Sequence, residues 1–121
     1  MDYNNLSNCL LIEIPEIKEM YEEELKLWDE YPGNHNIFGD VVNPYLIDLL
    51  NENNDKKLLK RIFSFLEKMA NSKDVKVQEV LTVTVLERLG DDKKILSKSY
   101  EYMEKETKQF SVEVEKWLKR N

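Results

Sequence analysis

After Asp55 the chain sets Leu58, Leu59, Ile62, Phe63, Leu66, Met69 and Ala70 at the spacing of a helix with one apolar face. Lys57, Lys60, Arg61 and Lys68 line its outer face. The pattern constrains the fold because similar stripes recur along the chain and no pair of strands is on offer. One segment reads both ways. Val80-Leu81-Thr82-Val83-Thr84-Val85-Leu86 is rich in β-branched residues and suits a buried strand. A lone strand, however, leaves its backbone groups without partners. Arg88 in a last turn and Gly90 as a left-handed cap favour a helix over 75–89. The expectation is an all-α fold, a compact bundle or HEAT-like array of six to seven short helices in a single domain over 1–121.

The other stripes are shorter. Leu6, Cys9, Leu10 and Ile14 form one that Pro15 interrupts, and Pro15 suits the first turn of a new helix, where a missing N–H costs nothing. Ile17, Met20, Tyr21, Leu25 and Trp28 keep to one face of that helix, which places Trp28 in the core. Asn43-Pro44 reads as a cap and first residue of a helix carrying Leu46, Ile47, Leu49 and Leu50. Asp91 or Asp92 opens another with Ile95, Leu96, Tyr100 and Met103. Thr107 starts the last, with Phe110, Val114, Trp117 and Leu118 in its stripe. Residues 31–42 read as the only long irregular stretch, with Pro32, Gly33, Asn34, His35, Asn36 and Gly39 around Ile37 and Phe38. Such a stretch is either a packed connection pinned by Phe38 or a binding loop.

Charge divides the chain. Residues 1–55 carry thirteen acids against Lys18 and Lys26, a balance of −11, while 56–121 carry sixteen basic residues against eleven acids, a balance of +5. Asymmetry of this kind steers a partner of opposite sign without setting the fold. Asp29 and Glu30 also sit at the end of their helix where the dipole disfavours negative charge, so something other than helix stability wants them there.

Little in the sequence suggests chemistry. His35 is the sole histidine and Cys9 the sole cysteine, which excludes a disulfide framework, a thiolate metal cage and a His-rich metal site and makes a histidine relay hard to build. Cys9 lies on an apolar face and reads as a small core residue. Gly33 and Gly39 lack the spacing and the following Lys-Ser or Lys-Thr of a phosphate loop. The glutamate-rich helix lacks the alternating ligands and central glycine of a calcium loop. Lys56, Lys57, Lys60 and Arg61 form a basic cluster, but acids interrupt the basic half and the chain is net −6, a poor sum for nucleic acid. No apolar run reaches the ~20 residues of a membrane span, and no targeting segment opens the chain. The lone cysteine suits a reducing, cytoplasmic setting.

Two resemblances add to this. Residues 72–92, SKDVKVQEVLTVTVLERLGDD, resemble the inner half of a HEAT-type repeat, in which an acid precedes a Val-rich helix closing on Leu-Gly-Asp. There is no repeat at fixed period. More widely, Phe38-Gly39-Asp40-Val41-Val42-Asn43-Pro44-Tyr45-Leu46 with Val77-Gln78-Glu79-Val80 and Val83-Thr84-Val85-Leu86-Glu87 is similar to a family of small bacterial helical proteins. Some of its members look like immunity proteins, encoded beside the toxins of bacterial competition systems. The resemblance implies an intracellular, non-catalytic inhibitor without cofactor or metal.

Joined to the charge, it points to a protein partner, a cognate basic toxin domain such as a nuclease. That partner would meet Glu22, Glu23, Asp29, Glu30, Tyr31, His35, Phe38 and Asp40, with the protein acting as a monomer or weak homodimer. Neither nucleic acid nor a membrane is expected to bind. The alternative is a HEAT-like adaptor with another partner.

Overall fold

Asp55 accepts a hydrogen bond from the Leu58 N–H at 3.1 Å and so starts a 15-residue helix, Lys56–Ala70, around which the rest is assembled. Its buried face holds Leu58, Leu59, Ile62, Phe63, Phe65, Leu66, Met69 and Ala70. Burying each of the large side chains is worth about 1.5–3 kcal/mol. The computed structural model describes residues 1–120. Among these the chain forms seven helices and no strand, so the fold is all-α. Helix α1 is Leu6–Glu13, and a 3₁₀ turn, Pro15–Ile17, leads into α2, Lys18–Leu25. Helix α3 covers 34–52, α4 is Lys56–Ala70 and α5 covers 75–89. Helices α6, Lys93–Tyr100, and α7, Lys105–Trp117, complete the chain. One apolar cluster draws residues from α1 and from α3 to α7. No helix among the described residues is long and apolar enough to cross a membrane.

Helices α3 and α5 share an unusual feature. Each contains a widened turn, Phe38–Val42 in α3 and Val80–Leu86 in α5. Across these turns the N–H of Asn43 reaches the Phe38 carbonyl, and that of Glu87 the Thr82 carbonyl, five residues back instead of four. In α3 the cause is Pro44, which has no N–H for the carbonyl four residues back and whose ring would crowd a regular turn. In α5 the core pairs Val80-Leu81 and Val85-Leu86 stand five apart, so a wide turn keeps both pairs on the buried face. The two turns pack on each other. The Asn43 Nδ2 donates to the Thr84 carbonyl at 2.9 Å, and His35 Nδ1 lies 2.6 Å from Thr84 Oγ1.

Several expectations are corrected by this arrangement. Residues 31–42 are not one irregular stretch, because α3 already begins at Asn34 with Gly33 at φ 95° before it. Asn43 is therefore no cap; it is a buried residue inside α3. Gly90 is not left-handed, with φ at −77°. A Cβ there would push aside the ends of the Glu115 and Arg120 side chains, which close over this position.

Arg120 holds Glu115 at 2.7 Å, Asp91 at 2.7 Å and the Glu87 carbonyl at 3.0 Å. Helix α7 starts before Thr107, and its N-terminus is capped from a distance. The Glu67 carboxylate of α4 accepts from the N–H groups of Glu106 and Thr107 and from the Thr107 hydroxyl. Of the two candidate openers of α6, Asp92 is the cap, accepting from Lys94 at 2.8 Å. Trp117 leaves the core stripe for solvent at 74% exposed.

Candidate functional site

The acidic N-terminal half divides into neutralised and unneutralised carboxylates. Arg61 of α4 grips Glu16 with two nitrogens, at 2.5 and 3.1 Å, and Lys68 pairs with Glu13. The Arg61 contact holds the Glu16 carboxyl below its ordinary range, the guanidinium hydrogen bond outweighing burial. Two cations of the outer face of α4, Arg61 and Lys68, are thus spent inside the molecule. Glu22, Glu23, Asp29 and Glu30 are exposed and, among the described residues, no cation lies within 4 Å of them.

Between them runs an apolar strip that the core does not absorb. Helix α2 buries no residue outright; Met20, Tyr21 and Leu25 only lean on the cluster. Leu27 is 78% exposed and Trp28 43%, so Trp28 is a surface residue and its placement in the core is corrected. The reason is that α2 ends at Leu25, and residues 26–33 turn away before the stripe can continue. Trp28 Nε1 instead donates to Glu24 Oε2 at 3.0 Å.

Tyr31 is 51% exposed, yet its hydroxyl is anchored, 2.5 Å from Ser7 Oγ and 3.1 Å from Asn34 Oδ1. Asn34 Nδ2 in turn donates to the Tyr3 carbonyl at 2.7 Å. The ring is therefore presented in a fixed pose, which lowers the ordering cost of using it in a contact.

His35 is exposed beside Tyr31 and tied to Thr84 of α5. Phe38 does not belong to this surface. It is fully buried, one turn into α3 beneath the exposed face, and its inclusion among the contact residues is corrected.

Asp40 lies on the exposed side of the same turn and opens a feature the sequence did not suggest. An open cleft of about 450 Å³ separates α2 from α3. It is lined by the carboxylates Glu23, Glu24, Asp40 and Asp48 together with Met20, Leu27, Val41, Pro44 and Tyr45. The Glu24 side chain lies against the Asp40 carboxyl across this cleft. That contact, with burial and the charge of Glu24, raises the Asp40 carboxyl above its ordinary value.

Of the cleft residues, Glu23 and Asp40 were among the expected contacts, while Glu24 and Asp48 were not. The signal for Asp48 lies in the spacing Asp40, Pro44, Asp48, one face of a helix at i, i+4, i+8, visible only once residues 34–52 are read as continuous. Among the described residues no group of three or more His, Cys, Asp or Glu side chains is arranged to hold a metal ion. The surface thus combines an anchored Tyr31, carboxylates without a cation and a cleft lined by both charged and apolar side chains.

No curated protein and no solved structure matches the chain. Residues 7–119 match the family described as a domain of unknown function, DUF7674, and with nearly its whole length covered the chain belongs to that family.

Proposed function

We propose that this is a non-catalytic binding protein that receives a basic protein domain on the acidic surface of α2 and residues 26–31, in the manner of an immunity protein neutralising a toxin. The observation that carries the reading is the unneutralised set Glu22, Glu23, Asp29 and Glu30 around exposed Leu27, Trp28 and Tyr31. A nuclease toxin fits because its substrate cleft is basic, and an acidic protein both imitates phosphate and is drawn in quickly. Exposed aromatics beside such charge are the residue types that anchor protein contacts.

The test uses the product of the adjacent gene as partner, with association followed at several salt concentrations. Changing Glu22, Glu23, Asp29 and Glu30 to Lys should slow association about ten- to a hundredfold and flatten its salt dependence. Changing Lys57 and Lys60 to Glu should do little. Binding that survives the first set and fails with the second places the contact on the basic half and overturns the reading.

A further inference from the structure

Helix α7 turns a face to solvent that nothing in the molecule covers. Lys105, Lys108, Val112 and Lys116 stand at i, i+3, i+7 and i+11, so they share one side of the helix, and all four are exposed. Trp117 ends the helix beside them and is exposed as well. Of the acids in this helix, Glu115 is buried and held by Arg120, and Glu106 is half-buried, which leaves Glu113 at the edge of the face. Among the described residues no carboxylate lies within 4 Å of the three lysines. Lys108 instead rests over the Tyr100 ring at 5.8 Å. The fold neither spends these cations nor buries the apolar groups between them.

The same chain carries a matching surface elsewhere. Glu22, Glu23, Asp29 and Glu30 have no cation within 4 Å among the described residues, and they flank exposed Leu27, Trp28 and Tyr31. Helix α2 leans on α3, whereas α7 packs on α4 and α5, and no ion pair among the described residues joins the two faces within one molecule. Each offers what the other lacks: ammonium groups against carboxylates, with Val112 and Trp117 set against Leu27 and Trp28.

We propose that, when no other partner is bound, the lysine face of α7 in one copy docks on the acidic surface of α2 and residues 26–31 in a second copy. Opposite charge orients the approach, and the exposed apolar side chains on both faces leave water together. The two faces differ, so the contact is head-to-tail, and each copy keeps a face for the next unless a ring closes. A net charge of −6 on every copy opposes approach from afar and keeps the association weak. The inference goes beyond the toxin reading but uses the same acidic surface: a basic domain arriving there displaces a copy of this chain.

The experiment is sedimentation equilibrium of the full chain alone. At about 0.1 M salt, screening over about 10 Å mutes the net repulsion and spares charges in contact. The average mass should rise with concentration, and the affinity should fall about tenfold near 1 M salt, where screening reaches about 3 Å. Two variants then separate the faces. One carries Glu22→Gln, Glu23→Gln, Asp29→Asn and Glu30→Gln; the other carries Lys105→Gln, Lys108→Gln and Lys116→Gln. Each alone should self-associate at least about tenfold more weakly than the native chain. An equal mixture should recover the native affinity and stop at one copy of each, because only one competent pair of faces remains. All the changed positions are exposed, and unchanged melting temperatures show that both variants fold.

A native chain that stays a single copy at every concentration would overturn the proposal. So would a variant that associates as the native chain does, or a mixture that stays apart or grows past one copy of each. If self-association fails while the four Lys substitutions still slow partner association, the proposed function stands and only the second copy is removed. If the mixture pairs as described and no basic partner binds, the acidic surface serves copies of this chain alone.

Discussion

Helices α2 and α4 stand at opposite ends of a scale. Helix α4 buries eight side chains and is the element on which the others rest, whereas α2 buries none and ends where its apolar stripe was due to continue. Two polar ties do flank α2: Arg61 to Glu16 below it and Trp28 to Glu24 along it. This element adds little to the core, and the segment that follows it leaves Leu27, Trp28 and Tyr31 exposed. The difference teaches that burial is concentrated in one helix while exposed apolar and acidic side chains collect on and after another.

The contrast is broken most directly by truncation. Phe63→Ala in α4 should cost about 3–5 kcal/mol in thermal or denaturant unfolding, enough to threaten a domain of ordinary stability. Leu27→Ala should change stability by less than about 0.5 kcal/mol. If the two costs come out alike, α2 is part of the core after all.

A middle-sized effect belongs to Glu67, where α4 caps α7. Burial would raise its carboxyl, but the N–H groups of Thr107 and Glu106, the Thr107 hydroxyl and the Asn71 amide outweigh burial and lower it. A carboxylate lowered in the folded state contributes stability that is present above its ordinary value and lost as pH falls through the lowered one. Glu67→Gln should therefore cost about 1 kcal/mol at neutral pH. The gap from the native chain should close in acid, as melting curves across that range will show.

The smallest effect has the opposite sign. Asp40 is raised by Glu24, so the folded chain holds that proton more tightly than the unfolded one. Repulsion then sets in as pH climbs past the ordinary carboxylate value and is complete above the raised one. Asp40→Asn should raise the melting temperature slightly at neutral pH and make no difference in strong acid. A loss at neutral pH would show that Asp40 stabilises α3 and is no strained neighbour of α2.

The all-α class was legible because every apolar stripe kept helical spacing, and Asp55 and Asp92 behave as the caps their positions suggest. The wide turns were not read, although Val80-Leu81 and Val85-Leu86 announce one by standing five apart. A 3.6-residue template spreads that mismatch over the whole helix instead of placing it in one turn. Asn43-Pro44 misled for a related reason: the pair looks like a helix start, and it takes a widened turn to let it sit inside one. Among the site residues, exposure of Glu22, Glu23, Asp29 and Glu30 followed from their charge. The exposure of Trp28 and the burial of Phe38 depend on where helices end and begin, which composition does not fix. The cleft was invisible, since it is made by two helices whose mutual placement no local pattern encodes.

The paired wide turns have one more consequence. A helix ordinarily gives up its amide protons from the ends inward, because the ends lack part of the ladder. In α3 and α5 the ladder is weakest at mid-length, and Asn43 and Thr84 hold those two weak points against each other. A map of amide exchange would then show a band of early loss crossing the interior, with slower amides to either side, as if the molecule had a seam rather than frayed edges.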